Sequence, residues 1–160
     1  MPVECTFTLN KTAVSILNCP GFGSVAAFSG NGRYVNDPAA TAITDKGPLP
    51  TGTYYIVDRQ SGGHLGWLYD AVKDVTLNTR RAEWFALYRN DGKIDDWTTI
   101  KGIRRGHFRL HPVGRIGESS GCITVKNPAQ FEKLRLFLKA QLIFQVPGAV
   151  LRAYGKVIVR

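Results

Sequence analysis

Glycine, proline and asparagine cut this chain into short apolar runs, and only one stretch escapes that punctuation long enough to form a helix. Runs 3–9, 13–17, 24–28, 53–57, 83–89, 107–110 and 150–159 have strand length and are rich in β-branched and aromatic residues. Asn10-Lys11, Ser29-Gly30-Asn31-Gly32 and Asn90-Asp91-Gly92-Lys93 separate them as turns, the first making 3–17 a hairpin. Gly47-Pro48-Leu49-Pro50-Thr51-Gly52 is a stiff loop that leads into 53–57. The exception is about 128–140. Asn127 suits an N-cap, Pro128 the first helical position and Gln130 the third, as in a capping box. Phe131, Leu134, Phe137 and Leu138 then recur at helical spacing. The pattern predicts a mainly β fold with one clear helix. No repeat or composition shift divides it, so 1–160 reads as a single domain.

The charge excess narrows the partners. A formal net charge of +9 and a pI near 9.7 favour anionic partners: nucleic acid, an acidic membrane surface or an acidic polymer such as a bacterial wall. Nucleic acid is disfavoured, because Arg80-Arg81 and Arg104-Arg105 are isolated pairs without a zinc-finger, RNA-recognition or helix-turn-helix pattern. No apolar run approaches the roughly 20 residues needed to span a bilayer. The N-terminus, MPVECTFTLN, has neither a basic n-region nor an apolar h-region, which points to a chain made in the cytoplasm; work outside it would require export by something other than an ordinary signal peptide. Of the 3 cysteines, at least one must stay a free thiol. Cys5 and Cys19 read most simply as small buried residues, with a Cys5–Cys19 disulfide across a hairpin as the alternative.

The run 107–125, HFRLHPVGRIGESSGCITV, carries the chemistry. Cys122 follows Ser119-Ser120-Gly121 and opens an apolar strand. Gly121 lets the backbone turn tightly and leaves space before the thiol. His111, held extended by Pro112, lies a short loop upstream and can serve as general base and then general acid. The N–H groups of Gly121 and Cys122 are the candidates to meet a developing oxyanion. Ser119 and Ser120 complete the oxyanion turn. His107 and Arg109 share a strand face with His111 if that strand is regular. Arg105, Arg109 and Arg115 surround the histidine–cysteine segment as candidate carboxylate binders. A metal pair of His107 and His111 would need a helix, which Phe108, Leu110 and Pro112 oppose, and no HExxH glutamate is present. No metal or other cofactor is expected. His64 reads as a surface loop residue, and Trp67, Tyr69 and Trp97 as groove walls or core.

Taken together, GPLPTGTYYIVDR at 47–59 and the 107–125 run resemble the catalytic domain of the L,D-transpeptidases, cysteine enzymes of bacterial peptidoglycan. The short His111-to-Cys122 interval, the Ser-x-Gly-Cys-Ile form, Phe28-Ser29-Gly30-Asn31-Gly32 and Asn36-Asp37-Pro38 are similar to a branch found among type VI secretion effectors. The resemblance spans roughly 20–140. It departs from the broad pattern at Ser120, where a second histidine is common, and at Thr124, where arginine or asparagine often follows. The resemblance implies a β-sandwich of L,D-transpeptidase type and a thioester on Cys122, with His111 shuttling the proton and oriented by a backbone carbonyl. It implies cleavage or exchange of the terminal D-alanine of peptidoglycan stem peptides in a rival's periplasm. The partners implied are the stem peptides, a cognate immunity protein and a secretion-apparatus component or adaptor. A housekeeping transpeptidase that cross-links its own wall and an inert wall-binding module are the competing readings.

Overall fold

In the computed structural model, residues 2–59, 83–114 and 119–160 are described. His64, Trp67, Tyr69, Arg80, Arg81 and Arg115 lie outside the described residues. Eleven strands are seen among them: β1 Val3–Phe7, β2 Ser15–Cys19, β3 Gly23–Phe28, β4 Gly52–Asp58, β5 Phe85–Arg89, β6 Trp97–Ile100, β7 Ile103–Gly106, β8 Arg109–Pro112, β9 Ile123–Val125, β10 Phe144–Gln145 and β11 Arg152–Val159. The one α-helix among the described residues, α1, spans Pro128–Lys139. The main sheet runs in the order β1-β2-β3-β9-β8-β5-β4-β11-β10. A further parallel pairing, Val3↔Gly155 through Phe7↔Val159, joins β1 to β11 and closes eight of these strands into a ring. The mainly β architecture with one helix is therefore observed, and its two layers form one continuous closed sheet.

Alternation drives the closure. β1 and β2 bury every second residue, so Val3, Cys5, Phe7, Leu17 and Cys19 point inward. They meet Leu110, Ile123 and Val125 from the opposite arc, together with Tyr54, Ile56, Phe85 and Leu87. Helix α1 seals this core with Phe131, Leu134 and Leu138, while Phe137 packs half-buried on Phe22. The expected start of the helix is seen: the Asn127 carboxamide oxygen accepts from the Ala129 and Gln130 N–H groups. At the other end Lys139 bridges Asp58 and the Tyr154 hydroxyl.

Cys5 and Cys19 are joined as a disulfide between the first two strands, the alternative left open by their spacing. Both are nearly inaccessible at 1% exposure. With a sequence separation of 14, the cross-link closes a short loop, for which chain entropy gives a stabilisation of about 3 kcal/mol. The Cys5→Ala/Cys19→Ala variant is therefore expected to melt roughly 6–12 °C lower by circular dichroism.

Two elements were not legible in the sequence. The hairpin β6–β7, tied from Trp97↔Gly106 to Ile100↔Ile103, forms a separate two-stranded sheet over the region after Asn90–Lys93. The strand expected to begin at His107 begins at Arg109. His107 itself adopts a left-handed φ of 58°, so His107 and His111 do not share one regular strand.

Candidate active site

Two neighbouring parallel strands build the site. β8 and β9 pair as Leu110↔Ile123, His111↔Thr124 and Pro112↔Val125. Leu110 and Ile123 point into the core. By strand alternation Arg109, His111, Cys122 and Thr124 therefore occupy the opposite, outer face. The same register, extended by one residue, sets Cys122 beside Arg109, one row before His111. A thiol at the mouth of β9 and an imidazole near the end of β8 are thus diagonal neighbours on one surface.

The corner before β9 admits only glycine. Gly121 has φ +100°, and a Cβ there would lie 2.5 Å from Nη2 of Arg105 and 2.9 Å from the Phe108 ring. The guanidinium cannot retreat, because it is pinned by three carbonyls: Thr41 at 2.7 Å, Pro48 at 2.7 Å and Gly47 at 3.0 Å. Burial lowers the Arg105 pKa from its usual value, and the Asp45 carboxylate is among the neighbours that oppose that shift. Arg105, read from sequence as a substrate contact, is spent on tying the 41–48 loop to the nucleophile corner. Ser119 closes the corner from the other side: its hydroxyl donates to the Cys122 carbonyl at 2.9 Å and accepts from the Gly30 N–H at 3.4 Å. Ser120 is exposed beside it.

Cys122 is half-buried as a residue, and its thiol lies 3.9 Å from the His107 carbonyl. The left-handed turn at His107 is what aims that carbonyl. Its cost is met by Asp96, whose backbone carbonyl accepts from the His107 N–H at 3.0 Å and whose carboxylate lies 3.6 Å from the His107 Nδ1. The exposed ring also stands edge-on against Trp97, 4.6 Å between centroids. Asp96 does a second job, accepting two hydrogen bonds from Arg109 at 2.6 and 2.8 Å. Burial works against the Arg109 charge, but the Asp96 pair outweighs it and raises the guanidinium pKa. Trp97, read from sequence as a groove wall or core residue, stands beside the His107 ring. Asp96 did not stand out in the sequence, because it lies just before a hairpin whose strands carry no clear alternation.

The thiol pKa is pushed up to about 11, chiefly by burial; the Arg109 N–H and guanidinium pull the other way. The resting group at neutral pH is consequently a protonated thiol, and it needs a base to become a nucleophile.

His111 is fitted to be that base. Its Nδ1 lies 2.7 Å from the Pro112 carbonyl, an acceptor, so Nδ1 carries the proton of the neutral ring. Nε2 is left with its lone pair, 3.5 Å from the Thr124 hydroxyl on the strand that begins at Cys122. Trp84 stacks on the imidazole at 4.3 Å and 22°, which fixes the ring plane. The carbonyl orienter expected from the resemblance is thus the one supplied by Pro112, and Thr124, a departure from the broad pattern, meets the imidazole edge.

Over residues 23–149, more than half its length, the sequence matches the family model of the Tlde1 domain. The chain belongs to the Tlde1 domain family. Tlde1 domains are an L,D-transpeptidase-like effector family of type VI secretion, a family that points to enzyme activity on peptidoglycan. The match contains β3 through α1, hence both strands of the candidate site and the corner between them. No curated protein and no solved structure matches the chain. Among the described residues no helix of this Tlde1 domain is long and apolar enough to cross a membrane, and no group of three or more metal-ligating side chains gathers.

Asp96→Ala is expected to leave the Arg109 charge unpaired with 11% of its side chain exposed, costing about 3 kcal/mol of stability. Asp96→Asn, which retains hydrogen-bonding capacity, should cost less. Urea titration of both variants checks the order; equal stabilities for wild type and Asp96→Ala would show that the pair contributes nothing.

Proposed function

We propose that this protein is a peptidoglycan cysteine acyltransferase. It cleaves the bond between the L-centre of meso-diaminopimelate and the terminal D-alanine of tetrapeptide stems, or exchanges that D-amino acid. The observation that carries the reading is the shared face of Cys122 and His111, with the imidazole Nδ1 held by the Pro112 carbonyl.

The chemistry follows in two halves. As the Cys122 sulfur attacks the scissile carbonyl, its proton passes to His111. The tetrahedral oxyanion is met by the N–H groups of Gly121 and Cys122. When the intermediate collapses, the C–N bond breaks and His111 gives the proton to the departing D-alanine amine, leaving a thioester. In the second half His111 takes a proton from water, or from the amine of an arriving D-amino acid. The new C–O or C–N bond forms, the C–S bond breaks, and the sulfur recovers its proton.

Arg109, neutralised by Asp96, holds the Cys122 end of the face. Arg105 and Ser119 hold the corner in shape. Arg115 is a further candidate to contact a stem carboxylate. The protein acts as an antibacterial toxin in the periplasm of a target cell, against which the producer needs an immunity protein, and its export calls on a secretion-apparatus component or adaptor. The Cys5–Cys19 disulfide suits that oxidising compartment. Mass spectrometry of tetrapeptide muropeptides incubated with the protein is expected to show tripeptides, or tetrapeptides with a substituted last residue. New dimers would instead favour a cross-linking transpeptidase. No change at all would favour a wall-binding module and overturn the proposal.

A further inference from the structure

One row beyond His111 the outer face opens into a second, basic groove of about 560 Å³. Its rim carries Lys11, Arg33 and Lys126, and its floor is Phe28, Val35 and Val113. The groove is continuous with the site. Phe28 pairs with Thr124, the neighbour of His111, and Val113 extends β8 by donating to the Val125 carbonyl at 2.8 Å. At about 3.3 Å per residue, successive rows on one face of a strand lie roughly 6.6 Å apart. The order along the sheet is therefore Cys122, then His111, then the basic groove.

Its wall is built rather than incidental. Lys11 and Asn36 both hold left-handed φ angles, 58° and 54°. They are locked together by the Lys11 N–H donating to the Asn36 carbonyl at 2.8 Å. The fully buried Asn36 side chain accepts from the Ser29 N–H at 2.9 Å and donates to the Thr12 carbonyl at 2.9 Å. Arg33 is propped on Tyr34, its guanidinium 2.8 Å from the hydroxyl. Among the described residues no carboxylate pairs with Lys11, Arg33 or Lys126. At the other end of the row Arg109 is already neutralised by Asp96. Uncompensated positive charge thus lies on the far side of His111 from the nucleophile.

Direction along the row identifies the ligand. The base must reach the thiol on one side and the leaving amine on the other. Whatever is attached to that amine extends away from Cys122, toward the groove. On the proposed reaction the amine belongs to a terminal D-amino acid, whose free carboxylate sits one carbon further on. We infer that the groove of Lys11, Arg33 and Lys126 is the subsite for the C-terminal carboxylate of the D-amino acid, both as it leaves and as a replacement arrives. This rests on the reading of Cys122 and His111 given above. It makes the enzyme an exopeptidase by charge recognition, since a stem continuing past this residue would present no carboxylate to the cations.

The test compares a tetrapeptide stem ending in D-alanine with the same peptide ending in D-alaninamide. A charge-assisted contact predicts that wild type prefers the acid by about tenfold or more in kcat/KM. In the Lys11→Ala/Arg33→Ala/Lys126→Ala variant the acid-to-amide ratio should fall toward one, mainly through KM. An unchanged ratio overturns the subsite. Exchange assays with free D-methionine read the arriving residue, as hydrolysis reads the leaving one. Should wild type turn over neither peptide, the catalytic reading fails, and direct binding judges the groove alone. Cys122→Ser protein titrated by NMR should bind D-alanine more tightly than D-alaninamide, and the triple variant should lose the difference. Equal binding of the two by Cys122→Ser overturns the subsite. Circular dichroism confirms folding of the triple variant, whose three replaced side chains are exposed; Lys126→Glu alone must move the ratio in the same direction.

Discussion

Cys122→Ala is expected to end turnover of tetrapeptide stems, with a loss of at least about 10³-fold, because binding and oxyanion contacts cannot act without a nucleophile. The fold should survive. The residue is half-buried and outside the core cluster of Leu110 and Ile123, and its sulfur meets the backbone entering β8. Alanine keeps the Cβ, leaves Gly121 untouched and removes a single polarizable atom, so urea midpoints should agree within about 1 kcal/mol. Mass spectrometry of wild-type protein trapped early with substrate should find the acyl group on Cys122, and none on the variant. Full turnover by Cys122→Ala would remove the nucleophile and with it the proposed function.

His111→Ala is expected to lower kcat/KM by about 10²- to 10⁴-fold near neutral pH. The pH dependence of what remains is more telling. Burial holds the Cys122 thiol near 11, well above its usual value, so the protonated form dominates below that pH. Without a built-in base, activity must follow the thiolate made by solvent. The residual rate of His111→Ala should therefore rise about tenfold per pH unit from 7 to 10 and level only as pH nears the thiol pKa. Wild type, with His111 accepting the proton, should not follow that slope. Rates for His111→Ala that are flat with pH, or equal to wild type, would show that the imidazole is not the base. The disulfide does not confuse the measurement, since neither Cys5 nor Cys19 titrates.

What the sequence made legible divides along a physical line. Strands β1 to β5, β9 and β11 and the helix announce themselves because each buries an alternating, continuous or helical set of apolar side chains, from Val3 and Phe7 through Ile56 and Leu87 to Leu134 and Leu138. The tight corner at Gly121 was equally visible, since glycine before cysteine is a backbone statement that local chemistry can read. The β6–β7 hairpin was hidden because Trp97, Thr99 and Ile103 are exposed or nearly so, and a two-stranded sheet with little core leaves no periodic trace. The supporting shell was hidden for a different reason. Asp96 reaches Arg109 and His107, Trp84 reaches His111, and Arg105 reaches Gly47, the last across 58 residues. No local pattern encodes such contacts; they exist only after the sheet has set β8 beside β9. His107 shows the same limit, because an exposed histidine in a left-handed turn reads in sequence like the start of the strand that follows it.

The ring of strands has a consequence for biogenesis. β11 lies between β4 and β1, and the final hydrogen bonds, from Arg160 N–H to the Phe7 carbonyl and from Leu9 N–H to the Arg160 carbonyl, unite opposite ends of the chain. Synthesis must pass β11 before the first strand finds its second neighbour, so the ring cannot close on a chain that stops short of that strand. Prematurely terminated products are left with two bare strand edges, prone to aggregate and to be degraded rather than to linger as partly working enzyme.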